Sequence, residues 1–187
     1  MKNSIKLILS FLFICQFATA QQQESYQSLM MEYFKVSGIN SEYESAYDGM
    51  VSMLQDAYQT QEIPAETWQK IYDGKKASVS KFKGILASEY RGIFEDKQDI
   101  RNLIDFYSSP TGVQYKKDRS AMTDSQQAEL TAFKNSITGQ KLFSRVDQIN
   151  KAKESSSIYW SRELICNVTT MLKDKGFESS MHMPSCN

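Results

Sequence analysis

The sequence predicts an all-α fold, a single domain of about six or seven helices. Three observations carry that expectation. Apolar residues recur at i, i+3, i+4 and i+7 along most of the chain, the spacing that gathers them on one helix face. Strand-like alternation of apolar and polar residues is hard to find. Only three prolines occur in 187 residues, so little interrupts the helical pattern.

The first twenty residues stand apart. "MKNSIKLILSFLFICQFATA" carries Lys2 and Lys6, then an apolar run from Leu7 to Phe17, then Ala18-Thr19-Ala20. A basic start, a short apolar core and a small-x-small ending form the layout of a secretory signal peptide. The run falls short of the roughly 20 residues a membrane span needs. The expectation is cleavage after Ala20 and an exported, soluble chain, periplasmic or secreted, that begins at Gln21 and keeps no transmembrane segment. Cys15 raises a lipoprotein alternative, but Phe13 and Ile14 before it are too bulky for that processing.

The elements follow in order. A first helix runs from about Glu24 to Val36, with Gly38 as its stop. In "SEYESAYDGMVSMLQDAYQ", Tyr43, Tyr47, Met50, Leu54, Ala57 and Tyr58 form one stripe behind an N-cap at Asn40 or Ser41. Pro64 opens a long pattern through Trp68, Ile71, Tyr72, Val79, Phe82, Leu86, Tyr90 and Ile93. Gly74, Gly84 and Gly92 weaken it and point to close helix contacts or a kink. "DKQDIRNLIDFY" then sets Ile100, Leu103, Ile104 and Tyr107 on one face.

The phrase "FYSSPTG", Phe106 to Gly112, reads as a corner. Ser109 is an N-cap before Pro110 at the first helical position, where the locked proline angle suits a helix. A residue before proline also resists helical geometry, so the preceding helix must end there. The phrase recurs as "FKNSITG", Phe133 to Gly139, with Leu130 matching Leu103. "TDSQ", Thr123 to Gln126, has capping-box spacing and opens the helix bearing Leu130 and Phe133. Ser136 stands where Ser109 did and Ile137 replaces the proline, which leaves this junction open between a kink and no break. Phe106 and Phe133 are the expected core anchors before each corner, and Gly112 and Gly139 mark close passage of a neighbouring helix. Two copies make a short helix-corner repeat; stable solenoids need about three or more.

Beyond the second copy, Phe143, Val146, Ile149, Trp160, Leu164 and Val168 trace another face, with "ESSS" at Glu154 to Ser157 a candidate interruption. Gly176 is the expected C-cap, and "FESSMHMPSCN" reads as a tail. The organisation expected is a signal peptide at 1–20, a helical domain at 21–176 and a tail at 177–187.

The stretch "DIRNLIDFYSSPTGVQYKK" resembles the signature of domain of unknown function 2059, a family of exported bacterial proteins. Its members carry an acidic-apolar helix, then Phe-Tyr-x-Ser-Pro-x-Gly, then a basic helix start. Phe106, Tyr107, Ser109, Pro110 and Gly112 match that motif residue by residue. The specific match covers Asp99 to Lys117, and helical character extends it loosely over 66–150. The resemblance implies a small helical extracytoplasmic domain and supplies no catalytic residues. The region after Ser155 departs from the family core.

The chemistry is sparse. Without Lys2 and Lys6, the 22 basic residues fall to 20 against 22 acidic ones, a net charge near −2 and no footprint for nucleic acid. Two cysteines remain, Cys166 and Cys186, and an oxidising compartment favours their pairing as a staple for the tail. His182 is the single histidine, too few for a multi-histidine zinc site and poorly placed for a nucleophilic triad. Met181, His182, Met183 and Cys186 together offer a Cu(I)-type ligand set, provided Cys186 is a thiolate. An anion could sit at the helix start of Ser109 and Thr111, against the ordinary use of Ser109 as a cap. No pair of carboxylates stands out, although acids distant in sequence can meet in space. The expected role is a non-enzymatic binding or envelope-associated module for an unknown protein or small ligand, with no cofactor. The alternative is an enzyme whose site assembles only in three dimensions.

Overall fold

The computed structural model describes residues 24–180 and Cys186. The signal-like segment and Met181, His182 and Met183 lie outside the described residues. The fold is all-α. Nine α-helices and one 3₁₀ turn occur among the described residues, with no strand: α1 Tyr26–Val36, α2 Ile39–Ala57, α3 Ala65–Asp73, α4 Lys75–Tyr90, α5 Lys97–Ser108, α6 Pro110–Lys117, the 3₁₀ turn Arg119–Ala121, α7 Asp124–Asn135, α8 Ile137–Ser144 and α9 Val146–Asp174. The segments outnumber the six or seven expected because long apolar stripes are divided. Gly74 separates α3 from α4, and Arg145 separates α8 from α9.

Local chemistry sets the boundaries. Ser25 caps α1 by accepting from the Ser28 N–H at 3.0 Å. Gly38 then takes φ +91°, a left-handed conformation open to glycine, and α2 begins at once at Ile39. The cap of α2 is therefore Gly38, in place of the expected Asn40 or Ser41. Both bonds of the capping box at Thr123 and Gln126 form, at 3.3 and 3.0 Å. At the far end Gly176 adopts φ +87° while its N–H reaches Lys173 O and that of Phe177 reaches Leu172 O, the paired bonds of a Schellman cap.

Two expectations for α8 and α9 are corrected. "ESSS" does not interrupt the helix, because Ser155 and Ser157 return their hydroxyls to Ala152 O and Lys153 O one turn back. Phe143 and Val146 do not belong to the buried face, since the turn at Arg145 rotates them outward to 36% and 41% exposure.

One continuous core joins α1, α2, α4, α5 and α9. Its centre is aromatic. Tyr43 and Phe82 lie 3.8 Å apart between ring centroids, and Trp160 of α9 closes on Phe82 at 5.1 Å. Such pairs add roughly 0.5–1.5 kcal/mol beyond burial alone. A satellite cluster of Phe106, Met122 and Leu130, with Phe133 packed on it, lies under the repeated corners. No described helix is long and apolar enough to cross a membrane.

Candidate functional site

The two copies of the repeated phrase build nearly superimposable corners. Ser109 has φ −68° and ψ 158°; Ser136 has φ −68° and ψ 160°. Each Ser Oγ donates to the carbonyl of the phrase's Phe, at 2.7 and 2.6 Å, and accepts from the N–H of its Gly at 3.0 Å. The second junction is thus a full corner, although Ile137 replaces the proline. The turn forms without the proline, with Ser136 Oγ bridging Phe133 O and the Gly139 N–H.

The close passage at the glycines comes from within each corner. A Cβ on Gly112 would lie 2.0 Å from Phe106 O, and one on Gly139 would lie 1.9 Å from Phe133 O. Both helix starts therefore ride directly over the last turn before them. Phe106 is buried as expected, whereas Phe133 is half-buried.

The corners also hold each other. Thr111 is buried and donates to Glu129 of α7, while Thr138 is buried and donates to Asp99 of α5 at 3.0 Å. Asn102 Nδ2 donates to Thr138 Oγ1 at 2.9 Å, and Lys141 pairs with Asp99. Asn102 and Glu129 occupy equivalent positions of the two copies, as do Thr111 and Thr138. Each copy thus sends the same position to the other's threonine. Reciprocal contacts of this kind define an isologous pairing about a pseudo-twofold axis.

This arrangement answers the anion reading of Ser109 and Thr111. Ser109 spends its oxygen on the Gly112 amide, and Thr111 faces a carboxylate of the protein itself. Negative charge near a helix start is favourable, and Glu129 and Asp99 supply it from inside the fold. Of the motif residues, Ser109, Gly112, Ser136 and Gly139 build the two turns, Pro110 opens α6, and Phe106 with Tyr107 and Phe133 packs in the satellite cluster.

Cys166 and Cys186 are joined, with Cα atoms 5.4 Å apart. Before that link the tail docks on the end of α2 and the loop that follows it. Ser180 N–H and Oγ both donate to Ala57 O, at 2.9 and 2.7 Å, and Glu178 N–H donates to Gln61 Oε1 at 3.1 Å. A disulfide-bonded sulfur has no thiolate to offer a metal, so the Cu(I) set loses Cys186; its other members lie outside the described residues. No group of three or more metal-ligating side chains occurs among the described residues.

A cleft of about 350 Å³ is lined by residues of α3, α4 and α9. Its floor is apolar: Ile71 from α3, Trp160, Leu164, Val168 and Met171 from α9. Their spacing on α9 is the helical stripe read in the sequence. Two donors near the floor are already used, since Trp160 Nε1 donates to Ser78 Oγ at 2.9 Å and Tyr47 OH donates to Ile71 O.

Charged groups mark the mouth. Lys81 of α4 donates to Glu163 Oε1 across the opening, a bond that raises the lysine pKa, and Lys70 lines the same rim. Glu163 is the one carboxylate among the lining residues. Its Oε2 is buried and has no hydrogen-bond partner among the described residues, although 28% of the side chain is exposed. A buried acceptor without a donor is uncommon and calls for an explanation.

None of Lys81, Glu163 or Ser78 was singled out by sequence reasoning. Lys81 and Glu163 stand 82 positions apart on different helices, and charges on helical faces look alike until the helices pack. The advance signals were apolar: the Trp160 stripe, Tyr47 and Ile71 on their own stripes, and Gly74 read as a close contact or kink. Set against protein-family models, curated proteins and solved structures, the chain matches none.

Proposed function

We propose that this protein is an exported, non-enzymatic binding module that holds a small ligand in the cleft between α3–α4 and α9. The observation that carries this reading is the cleft itself. It has the volume and the apolar lining with a few polar groups that ligand pockets show. The one carboxylate of the lining, Glu163, is already paired with Lys81.

Export rests on the signal-like first twenty residues, on the resemblance to domain of unknown function 2059, and on a disulfide of the kind that persists in oxidising compartments. The intact mass of the protein recovered from outside the cytoplasm checks it: a chain starting at Gln21 is expected, and one retaining Met1 contradicts it.

Binding is tested by amide NMR of the folded protein with a set of small apolar fragments. Shifts should gather on Ser78, Asn167 and the Trp160 indole N–H. Shifts gathered instead at Ser109 and Ser136 would assign binding to the corners. Chemical conversion of a fragment would move the reading to an enzyme.

A further inference from the structure

The ligand class can be narrowed, on the premise that the cleft is the binding site. We infer that the cleft takes a small monoanion, a carboxylate on an apolar body, whose head group pairs with Lys70 at the mouth while the body covers the floor.

Charge balance drives the choice. Three charged side chains line the cleft, Lys70, Lys81 and Glu163. Lys81 and Glu163 neutralise each other across the opening. Glu163 is not available to orient a ligand, since Oε1 takes the Lys81 ammonium and Oε2 has no surface that a ligand can touch. Lys70 is the remaining charge, and it is exposed. Its ammonium has no ion pair or hydrogen bond among the described residues. Glu66 and Asp73 lie about one turn to either side along α3, yet neither pairs with it, and Asp73 accepts from Gln69 Nε2 at 2.9 Å instead. The lining therefore carries one positive charge in excess.

The neutral polar groups admit an anion. Ser78 Oγ accepts from Trp160 Nε1 and keeps its own O–H to donate. Asn167 is exposed, and its side-chain NH₂ has no partner among the described residues. Its Oδ1 accepts as well, so Asn167 suits any polar head group and Lys70 decides the sign. A cation would meet an uncompensated like charge there, and a neutral head group would leave that charge unpaired. The apolar body lies against Ile71, Leu164 and Met171, whose contact with a ring or short alkyl group supplies affinity in proportion to buried area.

Four probes sharing one aromatic body separate the possibilities: p-toluate, p-toluamide, p-cresol and 4-methylbenzylammonium, each titrated into the oxidised protein at neutral pH by amide NMR. The amide copies the shape of the carboxylate without its charge, and p-cresol reports the cleft independently of the charged head. p-Toluate should bind about fivefold tighter than either neutral probe, the upper range for an exposed ion pair. Lys70→Met should erase that preference and leave p-toluamide and p-cresol unchanged. Lys70→Glu should reverse the order, with 4-methylbenzylammonium tightest. Equal binding of p-toluate and the neutral probes to the wild-type protein, followed at Asn167, would overturn the anion assignment and leave the cleft reading standing. A p-toluate preference that survives Lys70→Met would overturn the role of Lys70. Tightest binding of 4-methylbenzylammonium to the wild-type protein would overturn the assignment in favour of a cation. Binding of none of the four would remove both the ligand class and the cleft.

Discussion

The rings of Phe106 and Phe133 stack with centroids 3.8 Å apart and planes 5° from parallel. They are the same residue of the repeated phrase, one from each copy. A residue that touches its own equivalent lies on a symmetry axis, and the reciprocal bonds of Thr111 to Glu129 and Thr138 to Asn102 flank it. The repetition of the phrase thus has a structural cause: one corner is half of a pair.

Truncating Phe106 to Ala should cost about 3 kcal/mol, and Phe133 to Ala less, because its ring is half-buried. A double-mutant cycle by chemical denaturation should return a coupling of about 0.5–1.5 kcal/mol. A loss below about 1 kcal/mol at Phe106 with no coupling would mean that the stack holds nothing.

Gly112→Ala and Gly139→Ala should each unfold the protein or cost more than about 3 kcal/mol, because the added carbon meets backbone that cannot move aside. Gly84→Ala provides the contrast. That position lies inside α4 with nothing within 4 Å, and replacement should stabilise by about 0.5–1 kcal/mol. Thermal melts of the three variants decide the matter, and similar losses at all three would contradict the corner geometry.

Alkaline pH should weaken the fold through buried phenols. Burial pushes Tyr107 up to about 12, with Tyr115 adding to the effect, and burial pushes Tyr26 up to about 12 against the pull of Arg91 over its ring. An unfolded tyrosine ionises near 10. The folded state therefore holds protons that the unfolded state releases. The contribution of Tyr107 and Tyr26 to stability is constant below about pH 10 and is lost as pH rises through about 12. Phenolate absorbance should accordingly lag and then rise with unfolding. Ionisation of all ten tyrosines near pH 10 with ellipticity unchanged would contradict the burial.

Reducing the Cys166–Cys186 bond should cost up to about 3 kcal/mol by the chain-entropy model for a loop of this length. Hydrogen exchange should then rise at the Glu178 and Ser180 amides, whose bonds fix the tail to Gln61 and Ala57. Unchanged protection at both amides after reduction would show that the tail docks without its staple.

Helical spacing made the class and most stripes legible, because a 3.6-residue period survives without knowledge of partners. Ser109 before Pro110 and the Thr123 capping box were legible for the same reason: their bonds close within four residues. The Ser136 corner was ambiguous because proline was taken as its signal, whereas Ser136 Oγ and the space left by Gly139 make the turn. Serines 155 to 157 looked like a break because hydroxyls compete with the backbone in short contexts, yet inside a packed helix they bond one turn back. The cleft was illegible. Its mouth joins Lys81 to Glu163, and its wall depends on where α3 turns at Gly74, relations that arise only on packing.

The central claim is a division of labour: the corners hold the fold and the cleft binds. Ala77 is exposed on α4 and lines the cleft, so Ala77→Phe should fill it at a helix-propensity cost of about 0.5 kcal/mol. The most direct measurement is a p-cresol titration of this variant, followed at the Asn167 amide and set against Thr138→Val, which loosens a corner. The account predicts that Ala77→Phe keeps its melting transition and loses the Asn167 response, while folded Thr138→Val melts earlier and binds with wild-type affinity. Wild-type affinity in Ala77→Phe, or loss of binding in folded Thr138→Val, would contradict it.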